Sequence, residues 1–382
     1  MVAVSRDPLL LNWEKIPGNP VIPMVETDER GRPYRVYDPC IWGEEEGYYS
    51  LSGSYMDGTF FGDCRMAQHL FFSQDLRRWT YLGPFVEGDI FTAPGEDGAV
   101  PYFWPIGDKH ILLFASHQRG SQYLIGDYDR LHHRFKPFAH GRFNFGAMDN
   151  GSVHTPSATP DGHGGVYLIH NINAGKPAQG WDHLMSLVRR LQLGPDNTLN
   201  IEPIAALESL RTDHRHVDER VLSANREIVL ESIEGNAVEL AATIDPREAR
   251  EVSIDVLRSP DAAEYTRIRF LREAHLSSES NGTRHRQDAL VLDASRSSLL
   301  PEVQARPPEI APFRLADGEI LELRIFIDRS VVEVFANGRQ CLALRVYPGR
   351  RDSVGLALHA RGRDAILHSL DAWQMESIWA QG

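Results

Sequence analysis

The sequence lacks any apolar run of the roughly 18 residues that a membrane-spanning helix needs, so we expect no membrane partner. Cysteine is also scarce: Cys40, Cys64 and Cys341 are odd in number and far apart, which argues against a disulfide framework. The opening residues 1–7 contain no basic stretch followed by an apolar core, so no signal peptide is expected. Together these absences predict a cytoplasmic protein.

Positive charge is in deficit, with 40 Lys and Arg residues against 53 Asp and Glu residues and a formal net charge of -13. Such a chain would repel a phosphate backbone, and its basic residues are scattered, so nucleic acid is not an expected partner. His214 and His216 form a His-x-His pair of the kind that can bind zinc, but no third ligand stands nearby in the sequence. We therefore expect neither a metal nor a cofactor.

Long amphipathic helices are missing as well. The 31 glycines and 23 prolines are spread as punctuation between short apolar runs, which is typical of many short strands joined by tight turns. The most helix-like stretch, residues 204–210, lies where the character of the sequence changes. This composition predicts an all-β protein.

A repeat fills the first half of the chain, where three prolines are each followed nine residues later by a short apolar strand. The prolines are Pro39, Pro101 and Pro156, which are 62 and then 55 residues apart. The predicted strands begin at Tyr48, His110 and Gly165. This spacing suits one four-stranded blade of a β-propeller.

The second half has a different pattern. Apolar and polar residues alternate over residues 321–328, as expected of a half-buried strand, and Asn337-Gly338 between two apolar runs predicts a hairpin with a type I′ turn. These signals predict a β-sandwich. We divide the chain into a partial propeller at residues 1–211, an exposed linker at 212–221 and a β-sandwich at 222–382.

The starts of the innermost propeller strands converge near the axis, which predicts a central site there. Asp38 occupies this place in the first repeat. Glycoside cleavage needs two carboxylates, but the corresponding place in the second repeat holds Val100, preceded by Ala99. Glu96 and Asp97, just upstream, are the alternative catalytic carboxylates, although a solvated acidic turn is the simpler explanation of both.

The third repeat adds Asp149 and His154 as candidates for substrate binding, although an Asp-Asn-Gly sequence is often only a turn. Aromatic residues near the strand starts would suit stacking on a sugar face, or would fill the interior of a blade. The aromatic candidates for substrate binding are Tyr37, Tyr102 and Trp104.

Four segments resemble glycoside hydrolase family 32, the invertases, levanases and inulinases. Residues 5–23 (SRDPLLLNWEKIPGNPVIP) resemble the family segment that leads into its second catalytic motif, and residues 73–85 (SQDLRRWTYLGPF) resemble the blade end that follows. Residues 180–191 (GWDHLMSLVRRL) are similar to its Gly-Trp to Pro-Arg-Glu-Leu stretch, and residues 323–336 (LRIFIDRSVVEVFA) resemble the signature of its C-terminal sandwich. Tyr37-Asp38-Pro39 falls where the family has Arg-Asp-Pro.

The resemblance implies a five-bladed β-propeller followed by a β-sandwich, with the first blade missing from this chain. It implies that Asp38 stabilises the transition state by gripping sugar hydroxyls, and that Asp149 orients the acid/base and helps to bind substrate. Ser152 stands where the family often has Lys. The family's acid/base Glu aligns with Ala99, and its Asn-Asp-Pro-Asn nucleophile motif does not occur in this sequence.

Three interpretations follow. The first is a glycoside hydrolase acting on β-fructofuranosides such as sucrose and fructans, in which Glu96 or Asp97 has taken the acid/base role. The second is an inverting arabinofuranosidase or xylosidase resembling family 43, in which Asp38 is a general base. The third is a non-catalytic sugar-binding propeller, whose exposed blade edges would favour a homo-oligomer.

Overall fold

The computed structural model describes residues 1–23, 34–56, 64–178, 180–274 and 287–379. Over these residues the chain consists of β-strands joined by turns and a single short 3-10 helix. Among them, no helix has both the length and the apolar character needed to cross a bilayer. The chain divides into two compact units, residues 1–142 with 155–166 and residues 143–154 with 167–382.

The first unit contains a small two-stranded sheet and two four-stranded sheets. The strands are β1 (Ala3–Val4), β2 (Glu14–Lys15), β3 (Pro39–Glu44), β4 (Gly47–Met56), β5 (Arg65–Ser73), β6 (Thr80–Pro84), β7 (Ala99–Ile106), β8 (Lys109–Ser116), β9 (Gly120–Asp129) and β10 (Arg134–Arg142). Both larger sheets are antiparallel meanders, in the orders β3-β4-β5-β6 and β7-β8-β9-β10. Each therefore has the topology of a propeller blade.

An aromatic core joins the two four-stranded sheets. Phe85 packs edge-on against Phe103, with ring centroids 4.7 Å apart, and stacks on Phe135. All three rings are buried, together with Leu51 of β4 and Leu112 of β8. Buried aromatic pairs add to the free energy gained from apolar burial, so this core fixes the two sheets side by side.

A third sheet has five strands: β11 (Val153–Pro160), β12 (Val166–Ile172), β13 (Leu184–Met185), β14 (Arg189–Leu193) and β15 (Leu199–Pro203). β14 pairs antiparallel with β15, with Arg189 opposite Pro203. The apolar strands predicted after each repeated proline are therefore confirmed, since they lie in β4, β8 and β12.

The second unit contains two large sheets that share an apolar core. Their strands are β16 (Arg211–Val217), β17 (Arg220–Leu222), β18 (Glu227–Glu234), β19 (Ala237–Asp245), β20 (Glu251–Arg258), β21 (Thr266–Leu271), β22 (Asp288–Asp293), β23 (Glu309–Phe313), β24 (Leu321–Asp328), β25 (Val331–Ala336), β26 (Gln340–Arg345), β27 (Gly355–Arg361) and β28 (Ala365–Met375). One sheet has the order β16-β28-β19-β24-β25-β26, with β17 also paired to β28, and the other has the order β18-β27-β20-β21-β22-β23. This is the predicted β-sandwich.

The hairpin predicted at Asn337-Gly338 joins β25 to β26. Asn337 has φ 46° and Gly338 has φ 61°, so both central residues adopt the left-handed conformation that a type I′ turn requires. β24 shows the predicted alternation in its first half, since Leu321 and Leu323 are buried while Glu322 is exposed.

The segment expected to be a linker, residues 212–221, includes most of β16 and β17 in the structure. Both strands pair antiparallel with β28, so the segment is part of the sandwich sheet. Most side chains of β16 are exposed because the strand lies at the edge of the sheet, which explains why the sequence looks like a solvated linker. The helix-like stretch just before it forms the 3-10 helix Ala205–Leu210.

Candidate active site

The first candidate carboxylate lies at the start of β3. Asp38 is exposed and directly precedes Pro39, whose missing N–H is tolerated at the first position of a strand. The backbone N–H of Tyr37 donates to the Ser52 hydroxyl at 2.9 Å, which fixes the chain as it enters the strand. The neighbouring Tyr37 ring is half-exposed. Both predicted residues are therefore available to a ligand at this end of the sheet.

The start of β7 lies beside the start of β3. Gln68 of β5 donates to the Gly98 carbonyl at 2.7 Å, and a Cβ at Gly98 would lie 2.5 Å from the Met66 side chain. Gly98 has φ 60°, so both its backbone conformation and its close packing require glycine. On the other side, a Cβ at Gly53, the neighbour of Ser52, would collide with the Gly98 carbonyl. The turn that carries Glu96 and Asp97 is thus held next to the strand ends that carry Asp38.

Glu96 has no exposed surface. One carboxylate oxygen accepts hydrogen bonds from the Ala93 backbone N–H at 2.6 Å and from Arg119 at 3.0 Å, and the other accepts from the Gln122 side chain. A buried carboxylate with three donors, one of them a cation, is held rigidly in place. The interpretation of a solvated acidic turn does not fit this burial.

Asp97 is also buried, but its partner reaches the surface. One Asp97 oxygen accepts from the His117 backbone N–H at 3.1 Å, and the other lies 2.8 Å from Nδ1 of the same residue. The His117 side chain is 41% exposed, whereas that of Asp97 is 7% exposed. A carboxylate on Nδ1 orients the ring and directs Nε2 away from the carboxylate, which is the arrangement of general acid and base histidines.

Sequence reasoning did not find His117. It lies 20 residues from Asp97 in sequence, and the two meet because Ala99 of β7 pairs with Ala115 of β8. Asp97 lies two residues before Ala99 and His117 lies two residues after Ala115, so both are at the same end of the sheet. The available signal was a histidine just past the apolar strand that follows the second repeated proline.

Asp149 and His154 belong to the second unit. Asp149 is exposed, and the two residues after it, Asn150 and Gly151, have φ 57° and 87°, so the segment is a tight turn. His154 is half-buried in β11. Asp149 therefore offers a carboxylate on a loop of defined shape.

Ser152 supports that loop from beneath. Its buried hydroxyl lies within hydrogen-bond distance of two acceptors, the Ala147 carbonyl and Glu309 at 2.9 Å, which compete for its single proton, and it accepts from Arg306 at 3.0 Å. Glu309 is buried and also accepts the Phe145 backbone N–H at 2.5 Å. Ser152, which the resemblance places where a lysine is often found, thus has a structural partner in Glu309 of the sandwich strand β23.

Two family models match almost the whole chain. "Glycosyl hydrolases family 32 N-terminal domain" matches residues 1–203, and "Glycosyl hydrolases family 32 C terminal" matches residues 206–374. The chain belongs to glycoside hydrolase family 32. The resemblance stated from its motifs is confirmed, and the boundary between the two family 32 matches lies just before the 3-10 helix.

Curated members of family 32 resemble the chain at low identity. The "Beta-fructofuranosidase, insoluble isoenzyme 2" of Oryza sativa subsp. indica is 26% identical over 451 residues, which cover 98% of this chain and 72% of the rice protein. The levanase of Bacillus subtilis is 24% identical over 395 residues, or 96% of this chain and 53% of the levanase. The chain thus spans about half of the levanase.

Solved structures give the same fold. Fructan 1-exohydrolase IIa from Cichorium intybus has a TM-score of 0.78 at 19% identity, covering 97% of this chain and 77% of that protein. Family 32 structures of this kind have a β-propeller followed by a β-sandwich. The prediction of an all-β propeller and sandwich is confirmed.

The two aromatic candidates of β7 are half-buried. Trp104 donates its indole N–H to the Ala158 carbonyl at 3.0 Å, within the first unit. Both Tyr102 and Trp104 pack against the aromatic core of that unit. The sequence left open whether these rings fill the interior of a blade or stack on a sugar. A large part of each ring packs inside the blade, and the remaining exposed edge is what a sugar could contact.

The His-x-His pair lies on β16 and shares one carboxylate. His214 and His216 lie 2.7 and 2.8 Å from the same oxygen of Asp371 in β28. The hydrogen bond to Asp371 raises the pKa of His216. Both imidazoles therefore contact the Asp371 carboxylate, which is at least 155 residues away in sequence.

In a second cluster of possible metal ligands, both carboxylates are already paired with arginines. Glu227, Asp255 and His359 place ligand atoms within 4.8 Å of one another. Arg258 binds both oxygens of Glu227 at 3.0 and 2.9 Å, and Arg267 binds both oxygens of Asp255 at 2.6 and 2.7 Å. Two bidentate arginines make this cluster an ion-pair network of the sandwich.

Proposed function

We propose that this chain hydrolyses β-fructofuranosides of the sucrose and fructan type. Membership of family 32 supports a glycoside hydrolase, and the fructofuranosidase and levanase relatives support the substrate class. The observation that carries the proposal is the exposed Asp38 at a strand start that lies beside the Asp97–His117 pair.

In this proposal Asp38 contacts the sugar and stabilises the positive charge that develops in the transition state. Asp97 acts through His117, whose Nε2 protonates the glycosidic oxygen as its bond to the anomeric carbon breaks; a water molecule then adds to that carbon and returns a proton to Nε2. Asp97 suits this role better than Glu96, because Asp97 contacts an exposed imidazole that can carry a proton, whereas Glu96 is bound by a backbone N–H, Arg119 and Gln122. His117 thereby supplies the proton-transfer group that Ala99 cannot supply.

The test is fructose release from sucrose and from inulin by the purified chain. We expect Asp38→Asn and His117→Gln each to lower kcat by about 100-fold or more, because each removes a group that acts in the transition state. His117→Gln should also remove one limb of the pH profile. The control is Glu45→Gln, an exposed carboxylate in the turn between β3 and β4, which should leave kcat unchanged.

Two outcomes would contradict the proposal. Binding of fructose without turnover, measured by calorimetry, would favour a non-catalytic sugar-binding propeller. Turnover of an arabinofuranoside with inverted product anomer, read by NMR, would favour the family 43-like alternative. An unchanged kcat in His117→Gln would exclude only the role proposed for His117.

Three further features belong to the proposal. We propose a five-bladed ring, in which β1 and β2 close one blade and the sheets beginning at β3, β7 and β11 form three others. We propose that exposed blade edges lead to a homo-oligomer, which light scattering would test. A reducing, cytoplasmic location is supported by the small and odd number of cysteines, three, all of which are buried.

A further inference from the structure

The second unit contains an open cavity of about 490 Å³ that the proposed hydrolysis does not use. It lies where the loop after β12 meets the end of β26. The cavity is lined by Ala174, Lys176, Pro177, Ala178, Trp181, Asp182, Glu302, Arg345 and Tyr347. It is large enough for a sugar-sized ligand.

Arg345 is the unusual member of this lining. It is only 5% exposed, and its guanidinium lies between two rings, 4.9 Å from the centroid of Tyr347 and 5.3 Å from that of Trp181. Within the described residues no carboxylate lies within ion-pair distance of it, and its buried Nε has no hydrogen-bond partner there. Its one long contact is from Nη1 to the Asp182 carbonyl at 3.4 Å.

Other arginines of the same unit that are buried to a similar degree are neutralised. Arg189 and Arg258 each bind a glutamate at 2.8 to 3.0 Å. Burial is the main cause that lowers the pKa of Arg345. A guanidinium held out of water without an anion destabilises the folded protein, whereas an anionic ligand would compensate it.

Lys176 adds a second cation to the same cavity. Its ammonium lies 5.1 Å from the centroid of Tyr347, and in the described part of the chain no acidic group pairs with it. The loop that carries it is fixed, because the Gly175 N–H donates to the Tyr347 hydroxyl at 2.8 Å and the Gly175 carbonyl accepts from the Gln304 N–H at 2.8 Å. Lys176 and Arg345 therefore occupy fixed positions in the cavity lining.

The rest of the lining suits a polyhydroxylated molecule. The Trp181 ring is 63% exposed and offers an apolar face, and the side chains of Asp182 and Glu302 are exposed acceptors for hydroxyl groups. Two cations favour a dianionic group over a single carboxylate, and the exposed carboxylates favour hydroxyls over a second anion.

We propose that this cavity binds a phosphorylated sugar, with its phosphate on Arg345 and Lys176 and its ring against Trp181. The site is separate from the hydrolysis proposed above, and it stands whether or not the chain cleaves a glycoside. It adjoins the loop of Asp149, because the Arg345 N–H donates to the Gly151 carbonyl at 2.8 Å.

Calorimetric titration tests the site. Fructose 6-phosphate and glucose 6-phosphate should bind at least tenfold more tightly than the unphosphorylated hexoses. Arg345→Met, which keeps the apolar stem and removes the charge, should weaken binding of the hexose phosphate at least tenfold, and Lys176→Met severalfold. Arg296→Met is the matched control, since Arg296 also lies over a tyrosine ring, 5.2 Å from Tyr265, but does not line the cavity.

The comparison ligands identify what is recognised. Inorganic phosphate tests the anion alone, and glucuronate tests a carboxylate on the same ring. Equal binding of hexose and hexose phosphate, or unchanged binding by Arg345→Met, would overturn the proposal, as would glucuronate binding more tightly than the phosphate ester. Should Arg345→Met fail to fold, Lys176→Met and Trp181→Ala carry the same test, because both residues lie at the cavity surface.

Discussion

At the scale of single residues, Glu96 is a predicted catalytic carboxylate that the structure buries completely. All three of its partners donate hydrogen bonds, from the Ala93 N–H, the Arg119 guanidinium and the Gln122 amide. Gln122 in turn accepts from His140, with 2.8 Å between the two side chains. The carboxylate therefore organises the interior of one blade.

Glu96→Gln tests this structural role. The new amide would place an NH₂ donor against at least one of three existing donors and would leave Arg119 without its anion, so we expect unfolding to become easier by about 2–3 kcal/mol. The figure is below that of a fully buried pair because the Arg119 side chain is 30% exposed. Urea denaturation measures it, and the exposed Glu45→Gln is the control. A stable Glu96→Gln protein without activity would instead support the catalytic role predicted from the sequence.

At the scale of elements, β25 contains a charged residue in an otherwise apolar and fully buried strand. Glu333 is explained by Arg189 of β14, which binds it at 2.8 Å, and by the Leu187 N–H, which donates to it at 2.6 Å. Arg189 and Glu333 are 1% and 3% exposed. The pair thus ties the last propeller-type sheet to the sandwich sheet within one compact unit.

A double-mutant cycle measures this pair. Arg189→Met and Glu333→Gln should each cost about 3–5 kcal/mol, because each leaves an uncompensated buried group, and the double variant should lose less than the sum of the two. The exposed pair of Lys136 and Glu87, 3.7 Å apart, is the control and should show a coupling energy below about 1 kcal/mol. Additive losses at Arg189 and Glu333 would mean that their contact contributes nothing.

At the scale of the whole molecule, buried and half-buried histidines make stability depend on pH. Burial lowers the pKa of His69 and of His110 to about 4, and that of His170 well below its ordinary value. In the unfolded chain these imidazoles titrate near the ordinary histidine pKa of 6.5. Between about pH 6.5 and pH 4 the unfolded state therefore binds more protons than the folded state.

Stability should accordingly fall as the pH falls through this window, by up to about 1.4 kcal/mol per pH unit for each histidine. Urea midpoints measured from pH 7.5 to pH 4.5 should decline, and His69→Gln should make the decline shallower. His163→Gln, an exposed site, should leave the slope unchanged. A flat pH dependence in the wild-type protein would contradict the burial of these rings.

Much of the fold could be predicted because its signals are local. Alternating apolar residues, the Asn337-Gly338 turn and the repeated prolines each act within about ten residues, and all three correspond to strands or turns of the structure. The edge strand β16 could not be predicted, because its many polar side chains are those of a solvated segment and its pairing with β28 joins distant parts of the chain.

The candidate site was only half visible in the sequence for the same reason. Asp38 stands beside its own proline, but the burial of Glu96 depends on Arg119 and Gln122, which are 23 and 26 residues away. His117 is of interest because it contacts Asp97, 20 residues away, and Arg345 because it is buried, and no local sequence pattern records either property.

The buried cysteines have a practical consequence. Burial raises the thiol pKa of Cys40 to about 11 and that of Cys341 to about 12, and Cys64 is also buried. At neutral pH fewer than about one in a thousand of the Cys40 and Cys341 thiols is in the reactive thiolate form. A cysteine introduced at exposed Glu45 or at exposed Glu248 would thus take up a maleimide dye selectively, so that each compact unit can be labelled by itself without removing a native cysteine.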